Sequence, residues 1–76
     1  SKSLLVNELG LCHALEKNWH RALYFLNLSL KKDNHFQIHN NLAVVYVELN
    51  NYQKAYEHLS QAMKLAKDSP LVRLNY

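Results

Sequence analysis

The stretch His39-Asn40-Asn41-Leu42-Ala43-Val44-Val45-Tyr46-Val47-Glu48-Leu49-Asn50-Asn51-Tyr52-Gln53-Lys54-Ala55-Tyr56-Glu57-His58-Leu59-Ser60-Gln61-Ala62-Met63 decides the fold. His39, Leu42, Ala43, Tyr46 and Leu49 recur at spacings of three and four, which traces one face of a helix. Asn50-Asn51 then interrupts. Asparagine tolerates the left-handed conformation in which many helices end, and it also caps helix starts. Tyr52, Ala55, Tyr56, Leu59, Ala62, Met63 and Ala66 draw a second helical stripe. Neither helix can bury its stripe alone, and the short connection between them predicts an antiparallel pair.

The same text is written once more upstream. A shift of 33 places lays Leu9-Gly10 on Leu42-Ala43, Asn18-Trp19 on Asn51-Tyr52, Ala22 on Ala55, Leu26 on Leu59 and Leu30 on Met63. A shift of 34 lays Phe36 on Pro70, Ile38 on Val72, Asn41 on Asn75 and Leu42 on Tyr76. The expected organisation is therefore a unit over 3–35, a second over 36–69, and the opening of a third over 70–76. In the first unit Leu5, Val6, Leu9, Cys12 and His13 carry the first helix, with Glu16 at its solvent edge. Trp19, Ala22, Leu23, Leu26 and Leu30 carry the second. Small residues, Gly10 or Ala43 on one helix and Ala22 or Ala55 on the other, mark the closest approach; Trp19, Tyr52, Leu26 and Leu59 fill the space around it. Ala22 and Ala55 are expected to be almost wholly buried. Asp33-Asn34 and Asp68-Ser69 are expected to cap the helices that follow, and Pro70 suits a first helical position.

Composition agrees with this reading. The chain has 76 residues, of which 49% are apolar, with one Gly and one Pro, too few for the turns of an all-β fold. The net charge of +3 comes from nine scattered Lys and Arg residues and does not point to nucleic acid. The single Cys12 can form neither an intrachain disulfide nor a Cys-based zinc site, and its place beside the Leu9 stripe predicts a buried small hydrophobe. No apolar run reaches the roughly 20 residues of a membrane span. His35 and His39, four apart, could place two metal ligands on one helical face. No carboxylate or Cys stands near to complete such a site, so His13 and His39 are expected to be packed, hydrogen-bonded core histidines. No nucleophile–base pair, phosphate loop or paired-carboxylate motif is visible. No catalytic residue, cofactor or metal is expected.

The pattern His39-x-x-Leu42-Ala43-x-x-Tyr46, then Ala55-x-x-x-Leu59 and Ala62, resembles the tetratricopeptide repeat, whose period is about 34 residues. Val6-x-x-Leu9-Gly10-x-x-His13, then Ala22-x-x-x-Leu26 and Ser29, is its second copy. The usual Trp is replaced by Val6 or His39, and the usual late Pro is absent. The resemblance implies an all-α superhelix, a solenoid of antiparallel helix pairs that binds other proteins. It implies a concave row made by Leu4, Asn7, Leu11 and Ala14 on the first unit and Gln37, Asn40, Val44 and Val47 on the second, continued by Leu71 and Leu74. The same residues could instead pack against neighbouring repeats. Asn41 matches one position of the clamp by which chaperone-binding members hold a C-terminal carboxylate. Asn7 and Leu11 stand where that clamp needs Lys and Asn, so the clamp is not expected. The expected role is a scaffold in a multiprotein complex, cytoplasmic, with no nucleic-acid partner and no membrane insertion. The alternative is a substrate-recruiting region of an enzyme whose catalytic domain lies elsewhere. A narrower resemblance, carried by Ser69-Pro70-Leu71-Val72-Arg73-Leu74-Asn75-Tyr76 with Leu42-Ala43-Val44 and Leu65, is to tetratricopeptide subunits of the Bardet–Biedl coat complex, the BBSome. It implies a place at the cilium or basal body.

Overall fold

The computed structural model describes residues 2–67, which form four α-helices and no strand. They are α1 (Lys2–Leu15), α2 (Trp19–Lys32), α3 (Phe36–Glu48) and α4 (Tyr52–Lys67). The third unit, the Asp68-Ser69 cap and the groove residues Leu71 and Leu74 lie outside the described residues. α1 packs on α2 and α3 on α4; α2 joins the pairs by packing on α3, and α1 touches α3 more lightly. The α1–α2 pair is antiparallel, because Ser3 meets Ser29 at one end and His13 stacks on Phe25 toward the other. The result is an all-α tetratricopeptide-type fold.

Two identical turns set this geometry. α1 and α3 each end in a residue with left-handed backbone, Lys17 (φ 63°) and Asn50 (φ 61°). In both, two backbone bonds close the helix end: Asn18 N–H to His13 C=O and Lys17 N–H to Ala14 C=O, then Asn51 N–H to Tyr46 C=O and Asn50 N–H to Val47 C=O. These are Schellman closures, which satisfy carbonyls that a helix end would otherwise leave unpaired. Asn51 Oδ1 also accepts from Lys54 N–H and caps α4. The start of α3 differs from expectation. His35, not Asp33 or Asn34, is its N-cap, with Nδ1 accepting from Gln37 N–H at 3.1 Å. Asp33 closes the end of α2 instead, and its carboxylate takes a bond from the Ser3 hydroxyl.

The core lies where α2 meets α3. Ala22, Leu26, Ile38, Leu42 and Val45 form one fully buried cluster, with Trp19, Leu23, Leu30, Tyr46 and Leu49 around it. Ala22 and Ala55 are both buried, as the repeat register requires. Gly10 is needed on steric grounds. A Cβ there would stand 2.8 Å from Leu26 Cγ and 3.2 Å from the Leu26 backbone nitrogen. The α1–α2 crossing thus brings backbone against side chain with no room for a methyl.

Several expected core positions are open. Leu5, Leu9 and Cys12 are exposed, and the residues that α1 buries are Ser3, Asn7 and Gly10. α2 covers the Ser3–Asn7–Gly10 side, and no described helix lies over the Leu5–Leu9–Cys12 side. Tyr52 and Leu59, expected as space fillers, are also exposed, together with Tyr56 and Met63. They form the side of α4 that faces away from α3.

Candidate partner-binding surface

The concave row was expected on α1 and α3. Its α3 half lies open: Gln37, Asn40, Val44 and Val47 are all exposed, with Val44 at 58%. On α1, Leu4 is exposed at its edge, while Leu11 and Ala14 are half-buried. Asn7 is buried, and its Oδ1 accepts from Asn41 Nδ2 at 3.0 Å. Those two amides hold α1 and α3 side by side beneath the row. The row carries no charged side chain. It offers isolated valines and leucines between amides, which suits an extended or helical segment that is itself apolar and amide-rich.

A second polar cluster lies between α3 and α4. His39 is buried on the face of α3 that meets α4. Its Nε2 lies 2.7 Å from Asn34 Oδ1, and its Nδ1 lies 2.8 Å from His58 Nδ1. Asn34 Oδ1 can only accept, so His39 carries its proton on Nε2 and accepts at Nδ1 from His58 Nδ1–H. His58 in turn stacks on Tyr46, and the Lys54 ammonium stands over that ring, 5.7 Å from its centre. Both imidazoles are held below the ordinary value of 6.5. For His39 the cause is burial, then the charge that His58 would carry. For His58 it is burial, partly opposed by Glu57 and reinforced by Lys54.

The other histidines behave differently. His35 caps α3 and stacks on Phe36, and its backbone carbonyl accepts from His39 N–H. His13 stacks on Phe25 at an interplanar angle of 6°, but its buried Nδ1 has no hydrogen bond and stands 4.0 Å from Glu16. It is packed without the expected polar partner. Among the described residues no group of three or more His, Cys, Asp or Glu side chains is placed to hold a metal ion. No described helix is long and apolar enough to cross a membrane. Sequence reasoning missed the His39–His58 contact, since the two residues occupy different repeat positions on different helices. It also missed the Asn7–Asn41 tie, although the 34-residue separation was a usable signal.

The fold is that of a helical-repeat module of the tetratricopeptide type, a class that generally mediates contacts between proteins. The chain belongs to the family described as anaphase-promoting complex, cyclosome, subunit 3, whose model matches residues 2–68. No curated protein and no solved structure matches it.

Proposed function

We propose that this chain is a non-catalytic segment of a protein-interaction scaffold and that its concave row, Leu4, Leu11, Ala14, Gln37, Asn40, Val44 and Val47, takes an apolar, amide-rich segment of another subunit in a large assembly. The observation that carries the reading is the uncovered pair Val44 and Val47, side by side on α3 and not used by the fold's own core. The family's name, a subunit of a multiprotein complex, supports an assembly partner of this kind. The cytoplasm is the proposed place of that assembly. Nothing in the comparisons favours the BBSome, whose likeness rests on residues 69–76 and generic repeat positions.

The test is Val44→Glu with Val47→Glu in the natural full-length protein, beside Tyr24→Glu, which changes a residue 64% exposed on α2. The double variant should leave its assembly while keeping its helix content, and Tyr24→Glu should remain bound. Retention of the double variant in the assembly would remove the concave row as the binding surface.

A further inference from the structure

The His39–His58 pair between α3 and α4 lies outside both the core cluster and the concave row. The fold does not require imidazoles there, because a shift of 33 puts Val6 and Phe25 at the same two positions. The ring stack is common to both hairpins, His13 on Phe25 in the first and Tyr46 on His58 in the second. The facing nitrogens belong to the second hairpin. Three features prepare them to hold a metal ion. First, Nδ1 of His39 and Nδ1 of His58 stand 2.8 Å apart. With metal–nitrogen bonds of about 2.0 Å, two nitrogens lie about 2.8 Å apart at the right angle of a square-planar ion, about 3.3 Å at a tetrahedral one and about 4 Å across a linear one. Second, His39 Nε2–H is held by Asn34 Oδ1 at 2.7 Å, which leaves the lone pair of its Nδ1 facing His58. An acceptor on the far nitrogen is what fixes the tautomer and ring orientation of a metal-ligating histidine. Third, the His58 ring is held by its stack, 7° from the plane of Tyr46. Among the described residues a cleft of about 390 Å³, lined by His39, Tyr56, Glu57, His58, Ser60 and Gln61, leaves room beside both rings for an ion and its waters.

We propose that His39 Nδ1 and His58 Nδ1 are neighbouring ligands of one divalent ion of square-planar habit, Cu(II) above all, which ties α3 to α4. Aqueous Cu(II) gives up two waters to the imidazoles and keeps others in the cleft. His58 moves its proton from Nδ1 to Nε2 as the ion binds, so no net proton is released. Imidazole suits copper, and copper stands at the top of the affinity order for divalent ions of this row. Zinc, which takes three or four protein ligands in a tetrahedral array, fits the pair poorly, in keeping with the lack of a three-residue metal group among the described residues. The site shares no residue with the concave row, and it stands or falls apart from the role proposed for that row.

The test is equilibrium dialysis of the natural full-length protein, first stripped by a chelator, against Cu(II), followed by electron paramagnetic resonance. The wild type should bind one more ion per chain than His39→Gln or His58→Gln, with an axial spectrum that shows coupling to two imidazole nitrogens. Cu(II) should raise the melting temperature of the wild type and leave that of His58→Gln where it was. Circular dichroism checks that the variants keep their helices. Asn34→Ala changes an exposed residue between α2 and α3 that is not itself a ligand. It should keep the site and weaken it about tenfold, because His39 loses the acceptor that fixes its tautomer. His20→Gln, at an exposed histidine of α2, should bind copper as the wild type does. Equal copper in the wild type and both ligand variants would overturn the proposal. So would loss of the ion in His20→Gln, which would assign it to the surface of α2. Zn(II) bound as tightly as Cu(II) would require a tetrahedral site and overturn it equally.

Discussion

α1 and α3 carry the same stripe, and only α3 buries it. Leu42 is 0% exposed and its counterpart Leu9 is 44% exposed; Ile38 is buried and Leu5 is not; Val45 is buried and Cys12 is not. α2 and α4 repeat the contrast, with Leu26 at 0% and Leu59 at 44%. Four helices with two patterns thus give four environments. Sequence period fixes which face of a helix is apolar, but the neighbouring helix fixes whether that face leaves water. In a stacked array that neighbour belongs to another repeat. An apolar residue's energetic weight is therefore a property of its place in the stack.

The largest expected effect tests this directly. Leu42→Ala should cost about 2–5 kcal/mol, the range for a buried leucine truncated in a close-packed site. Leu9→Ala should cost less, about 1 kcal/mol, since 44% of its surface stays in water on folding. Urea unfolding followed by circular dichroism measures both, and equal losses would break the comparison.

A smaller difference separates Gly10 from Ala43, its counterpart. Gly10→Ala drives a methyl into Leu26, which is fully buried and has no space to yield. Overpacking of this kind costs about 1–3 kcal/mol, offset by about 1 kcal/mol of helix propensity. The net effect should be a loss. Ala43 already carries its methyl, and Leu59, the leucine at the position matching Leu26, is 44% exposed. Ala43→Gly should lose about 1 kcal/mol through propensity. Stabilisation by Gly10→Ala in thermal melts would show that the first crossing is looser than its geometry.

The His39–His58 pair gives the second hairpin a pH dependence of its own. Both residues have folded-state values below the unfolded 6.5, so the unfolded chain binds protons more readily than the folded one. Their contribution is present above pH 6.5 and is lost as pH falls through the lowered folded values. The first proton has a place on the outer nitrogen of His58, where the contact with His39 survives. The second sets two N–H groups against each other. Urea midpoints should fall between pH 7.5 and 5.5, and His58→Gln should flatten that slope. An unchanged slope in the variant would detach the pair from the effect.

The smallest effect concerns the turns. Lys17 and Asn50 hold the same left-handed backbone, which costs a lysine more than an asparagine. Lys17→Gly should stabilise by about 0.5–1 kcal/mol, and Asn50→Gly by less. Reversal of that order in paired melts would show that the two turns are not equivalent.

Much of the fold was legible because it depends on period and on small residues. The spacing of Leu42, Tyr46, Ala55 and Leu59 gave the helices, and Ala22 and Ala55 gave the crossing points. Asn50 announced its turn, while Lys17 did not, since lysine carries no preference for positive φ. Cys12 was misread because the stripe says nothing of its cover. Asp33 and Asn34 were good caps by type, yet Ser3 and His39 drew their side chains away and left the capping to His35. For the concave row, repeat position supplied the candidates. The Asn7–Asn41 bond depends on two helices meeting across 34 residues, a contact no local pattern encodes.

That bond has a consequence for shape. The Asn7–Asn41 amide bond, together with the α2–α3 core, holds the angle at which one helix pair follows the next. In a coil of many turns such an angle acts like the pitch of a screw thread, where an error at one joint is multiplied by every joint beyond it. Because both groups are uncharged, salt and acid leave the setting alone. Asn7→Leu should cost this chain about 1–3 kcal/mol in a melt, because Asn7 is buried and its loss leaves the Asn41 amide without its partner. It should also change the scattering profile of a long array, where the two ends of the coil would no longer lie where they did.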